Sequence, residues 1–99
     1  MGTRLELHDI LLAICPNVYF QPPESQNLTY PCIKYEYSDM ATKHANNKPY
    51  MLMDQYTITL LSRNVEDIMR KQIAKLERAR FSRNFKVDGL NHDRFTLYY

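Results

Sequence analysis

The hydrophobic pattern of the chain changes period several times, and each change predicts an element. Residues 3–6 read Thr-Arg-Leu-Glu, a capping box whose threonine hydroxyl and Glu6 carboxylate satisfy the first free N–H groups of a helix. Leu5, His8 and Leu12, with Ile10, Leu11 and Ile14, follow at helical spacing and stop at Cys15-Pro16. Val18-Tyr19-Phe20 is a short extended segment. Residues 32–38 then alternate, with Ile33, Tyr35 and Tyr37 on one face and Lys34 and Glu36 on the other, as in a half-buried strand. Residues 39–50 show no period and contain Asn46-Asn47 and Pro49, which predicts a long loop or an extended hairpin tip. Residues 50–62 predict a longer strand, with Tyr56, Ile58 and Leu60 pointing one way and Thr57 and Thr59 the other.

Asn64 is a good N-cap, with Glu66 and Asp67 in the first turn that follows. Val65, Ile68, Met69, Ile73 and Leu76 form the apolar stripe of a helix that the pattern carries to about Ala79. Phe85 and Val87 begin another strand, Asp88-Gly89 signals a tight turn, and residues 91–99 return. The predicted order is α-β-β-β-α-β-β. That order implies an α+β fold in which an antiparallel sheet of about four to five strands packs with two helices. With 99 residues the chain forms a single domain, 1–99.

Before the first alternating strand the chain reads FQPPESQNLTYP. Proline fixes its own φ and keeps its predecessor out of the helical region, so Pro22-Pro23 predicts a rigid extended connector. Pro31 lacks a donor at the edge of the strand that follows. A polyproline ligand is the weaker reading, since no P-x-x-P repeat accompanies the pair.

Composition adds three constraints. Eight tyrosines with no tryptophan suit half-buried surfaces, subunit interfaces among them. The net charge of +2 is too small to imply nucleic-acid or membrane affinity, but residues 63–86 hold eight bases and three acids, so the rest of the chain is net acidic. Cys15 and Cys32 stand alone in apolar surroundings, which predicts small buried thiols rather than a zinc site or a disulfide framework. No secretion signal opens the chain, and its longest apolar run, residues 10–15, is far below a membrane span. The expectation is a protein made in a cytoplasm with both thiols reduced, where the Asn27-Leu28-Thr29 sequon carries no meaning.

No motif points to catalysis. His8, His44 and His92 are far apart in sequence, and Ser38, Asp39 and His44 lack a nucleophile elbow. Two glycines leave no phosphate-cradling loop. Glu66–Arg70 and Asp67–Lys71 are i,i+4 pairs that make a self-neutralising helix face. The excess charge continues through Arg78, Arg80, Arg83 and Lys86, which marks a candidate lumen-facing or partner-facing basic surface. A hairpin tip carrying Lys43, His44, Asn46, Asn47 and Lys48 is a candidate interface.

Taken together, RLELHDIL, NVYFQPPES, YPCIKYEYS, TKHAN, QYTITL and NHDRFTLYY resemble the small tail-completion or tail-terminator proteins of long-tailed bacteriophages of Gram-positive hosts. The resemblance covers most of the chain and is weakest in the basic helix and its exit. It implies a virion structural protein without enzyme activity or cofactor, made in the bacterial host. Such a protein forms a ring, commonly of six copies, that caps the tail tube and joins it to the head-tail connector. Its partners would be further copies of itself, the tail tube protein and the connector or stopper protein, with DNA passing through the channel without sequence-specific binding and no membrane involved. Residues 32–38, 50–62 and 95–99 would then face the core or the neighbour. A head-completion or stopper component of the neck and, from another class, a small nucleic-acid-binding regulator are the alternative readings.

Overall fold

The computed structural model describes residues 3–22, 28–45, 48–64 and 67–99, and describes the backbone alone for 39–45, 48–53 and Asp67. Thr3 opens the first helix as its sequence predicts. Its hydroxyl accepts from the Glu6 N–H at 3.2 Å, and its own N–H donates to Glu6 Oε1 at 3.4 Å, starting α1, Arg4–Ile14. The buried side chains of α1 are Leu7 and Leu11, whereas Leu5 and Leu12 are 65% and 42% exposed. The predicted stripe was therefore turned too far. Leu7, Ile10, Leu11 and Ile14 make the i, i+3, i+4, i+7 set that one helix face can bury.

Five strands follow: β1 (Val18–Phe20), β2 (Cys32–Ala45), β3 (Lys48–Ser62), β4 (Ala79–Val87) and β5 (Leu90–Tyr98), with α2 (Asp67–Ala74) between β3 and β4. In space they lie in the order β1-β2-β3-β5-β4. The fold is α+β with two helices, but its sheet is mixed rather than antiparallel, because β1 runs parallel to β2, Val18 beside Ile33 and Phe20 beside Tyr35. Alternation gives a strand's face and not its direction. The connection of 21–31 is long enough for the chain to return past a three-residue strand and start again beside its beginning.

The registers build one apolar face. Phe20, Tyr35, Ile58, Phe95 and Phe81 form one row across the sheet, and Tyr37, Tyr56, Leu97 and Ala79 form the next. Leu7 and Leu11 of α1 and Ile73 of α2 pack on this inner face, so both helices cover the same side. Each fully buried large side chain in this cluster contributes roughly 1.5–3 kcal/mol of transfer free energy. On α2, Ile73 is buried and Met69 and Leu76 pack beside the core, but Ile68 is 76% exposed; Val65 lies outside the described residues.

Two predicted boundaries move. The helix ends at Ala74, and Ala79 already belongs to β4. KLERAR has good helical propensity, yet Arg78 adopts a left-handed φ of 65°, and its carbonyl accepts from the Tyr98 N–H at 3.3 Å. Pairing with β5 therefore overrides a weak local preference. Of the two readings of 39–50, a long loop or an extended hairpin tip, the described residues 39–45 and 48–50 follow the second. β2 and β3 pair from Cys32–Leu61 to Ala45–Lys48, with register shifts between Tyr37 and Asp39 and between Lys43 and His44. Backbone ladder bonds need no side-chain period, and Pro49, which lacks a donor, falls beside the second shift. Beyond the Gln55–Tyr98 rung of β5, 39–45 and 48–53 continue as a two-stranded arm.

Asp88 and Gly89, at φ 53° and 76°, turn β4 into β5. Two consecutive positive φ values match the twist of the flanking strands, and glycine takes the second without a Cβ penalty.

Candidate functional surface

β4 is largely exposed along its length. It has no neighbour on its outer side among the described residues, and Phe81 and Val87 are 45% and 48% exposed. Phe81 meets Phe95 edge-on at 5.4 Å, so one side of its ring is held by the core while the other stays open. The opposite edge is β1, short and parallel. Among the described residues the sheet therefore ends in two unlike edges, neither with a further strand beside it.

The outer face, away from the helices, has a different character. A register shift between Phe81 and Arg83 leaves Ser82 as an extra residue. Without it, Arg83 and Phe85 would share the face of Phe81. With it, they join Arg80 on the outer face, opposite Arg94, His92 and Thr96 respectively. One row across this face reads Lys34, Thr59, Arg94, Arg83. Phe85 stacks on His92 with centroids 4.7 Å apart and planes at 17°, and the guanidinium carbons of Arg83 and Arg94 lie 5.2 and 5.1 Å from the Phe85 centroid. His92 Nδ1 donates to the Leu90 carbonyl at 3.0 Å when that nitrogen carries the proton. Arg94 Nε is buried and has no hydrogen-bond partner among the described residues. At the end of this face a recess of about 470 Å³ lies between Arg78, Arg80, Thr96 and Tyr98.

Polar groups on the inner side are already satisfied by one another. The Tyr35 hydroxyl shares a hydrogen bond with His8 Nδ1 at 2.7 Å and accepts from the Arg4 guanidinium at 3.5 Å, while Arg4 also lies 4.3 Å over the Phe20 ring. Burial, opposed by Arg4, raises the Tyr35 pKa; burial and the bond with Tyr37 raise that of Tyr56. Asp93 is fully buried, and its two oxygens accept from Asn84 Nδ2 at 2.6 Å and Asn91 Nδ2 at 3.1 Å. This network ties β4 to β5 just past the extra residue, without an ion pair. Ser38 donates to the Gln55 carbonyl at 3.1 Å. Cys15 and Cys32 are both buried and free, and burial with the neighbouring Cys15 pushes the Cys32 thiol up to about 11. Among the described residues no group of three His, Cys, Asp or Glu is placed to hold a metal ion.

The structure separates the four basic residues singled out from the sequence. Arg80 and Arg83 share the outer face. Lys86 pairs with Asn91 on the inner side, and Arg78 occupies the turn before β4, 3.8 Å from Glu77 in an exposed pair worth little. Lys34 and Arg94, which complete the row, were not singled out. Their signal was present in the alternation of CIKYEYS and NHDRFTLYY, which places each opposite its neighbours' inward residues. Of the candidate interface, Lys43 and His44 lie on β2 and Lys48 opens β3, all in the arm, while Asn46 and Asn47 lie outside the described residues. The Glu66–Arg70 and Asp67–Lys71 pairs rest on acidic side chains that are likewise outside them. No protein-family model matches the chain, and no curated protein matches it in sequence.

Proposed function

We propose that this chain is a bacteriophage virion structural protein that acts by assembly, forming a ring at the head-proximal end of the tail tube and joining the tail to the head-tail connector. In this reading the fold is of the tail-terminator kind, the ring has about six copies, and the protein carries no catalysis. The observation that carries the reading is the pair of unlike sheet edges, an open β4 with exposed Phe81 and Val87 on one side and β1 on the other. Unlike edges make head-to-tail contacts, which close into rings when the rotation allows. The two-stranded arm supports it further. Two strands alone are marginal in water, so an arm built from MLM and neighbouring residues gains most when laid on another subunit or the tube.

Light scattering across a concentration series, with and without purified tails bearing exposed tube ends, tests the proposal. A ring, or a monomer recruited to those ends, supports it. Recruitment to capsid connectors alone would move the protein to the neck as a stopper. A monomer that ignores both would overturn the reading.

A further inference from the structure

We infer that the outer face of the sheet is a sequence-independent binding surface for the phosphodiester backbone of nucleic acid, centred on the row Lys34, Arg94 and Arg83 with Arg80 beside it. The inference rests on this face alone and stands or falls apart from the assembly reading.

Three observations carry it. Arg83 and Arg94 are directly opposite each other across β4 and β5, an arrangement that repels unless an anion lies between or above them. Both guanidinium groups approach the same Phe85 ring, which orients them over the face, and Arg94 keeps a buried Nε–H without a partner among the described residues. The only carboxylate that the register places on these rows is Glu36, at the far end of the row that finishes with Arg80. Charge complementarity therefore calls for an anionic occupant.

The shape and chemistry of the face favour nucleic acid over an acidic protein. Its middle rows place Thr57 and Thr96, half-buried, and the buried Thr59 between the cations. Most of the exposed large apolar side chains stand elsewhere, Leu5 and Leu12 on α1, Ile68 on α2, Phe81 and Tyr37 on the inner side, while Val87 shares this face only at its hairpin end, opposite Leu90. Protein interfaces need an apolar centre. A phosphate backbone needs guanidinium, ammonium and hydroxyl donors at strand spacing. The paired faces of Phe85 and His92 are occupied by each other, so base stacking is not part of the proposal.

The test is fluorescence anisotropy of short labelled duplexes of two unrelated sequences, titrated with the full chain from about 20 to 200 mM salt. The expected result is equal binding to both, weakening with salt with a slope of about −3 in the log–log plot. The double variant K34Q/R83Q should weaken binding about tenfold or more on both sequences and reduce the slope by about 2. The control K71Q/K75Q, exposed on or beside α2, should change neither. Circular dichroism melts of both variants show that the fold is retained. Absence of salt-dependent binding at the lowest salt overturns the proposal. So does binding lost in the control but kept in K34Q/R83Q, and so does competition by polyglutamate as effective as by unlabelled duplex, which would assign the face to an acidic protein.

Discussion

Arg83 and Arg94 stand opposite each other on neighbouring strands, with guanidinium carbons 5.2 and 5.1 Å from the centroid of one ring, Phe85. Each gains a cation–π contact, and each repels the other. At a partly exposed site the two effects are of similar size, about 0.5–1 kcal/mol, but only the repulsion between the two full charges is strongly reduced by salt.

The melting temperature of the protein should therefore rise as sodium chloride is added at neutral pH. In Arg83→Gln that rise should shrink, because one partner of the repulsive pair is gone. Scanning calorimetry at low and high salt reads both effects. An unchanged salt response in the variant would show that the two arginines do not interact.

Tyr35 is a buried link between α1 and the sheet. Its hydroxyl holds His8 and Arg4 at once. Tyr35→Phe keeps the ring against Phe20 and Tyr56 but leaves the His8 nitrogen without its hydrogen-bond partner. The expected loss is about 1–2 kcal/mol, read as a lower urea midpoint at unchanged m-value. A midpoint equal to that of the parent would place the hydroxyl's contribution near zero.

Stability should fall in alkali. Cys32 is raised from 9.0 to about 11, mainly by burial, and burial also raises Tyr35 and Tyr56 above 10.0. A raised pKa means that the folded chain keeps protons the unfolded chain has released. The stabilisation is therefore complete below about pH 9 and is lost as pH rises through the folded values. Cys32 accounts for the first part of the decline. Cys32→Ala should shift its onset upward toward the tyrosine range, as melting curves between pH 8 and 11 would reveal. An onset that stays in place would remove Cys32 as the cause.

Deleting residues 43–48 removes the end of the arm and leaves Thr42 paired with Leu52. The core cluster of the described residues lies outside the deleted segment, so the melting temperature should stay within a few degrees of the parent's. Recruitment to tail-tube ends should be lost. A well-folded deletion variant that still docks would show that the arm makes no contact that matters to assembly.

How far the fold can be read from the sequence depends on the range of the interaction that decides each feature. The capping box at Thr3 and Glu6, the inward set Tyr56, Ile58 and Leu60, the buried thiols and the Asp88-Gly89 turn are settled within a few residues, by backbone donors, period and allowed φ. The stop of α2 at Ala74 and the parallel course of β1 are not, because both depend on which strand lies alongside.

The candidate binding surface shows the same division. Alternation alone puts Phe81, Arg83 and Phe85 on one face; the extra residue at Ser82, set by pairing with β5, sends Phe81 to the core and the other two outward. The sequence by itself determined that the exit of α2 is basic and that NHDRFTLYY alternates. Only the tertiary structure brought Lys34, Arg94 and Arg83 into one row, since strands distant in the chain become neighbours through backbone hydrogen bonds whose register no local pattern encodes.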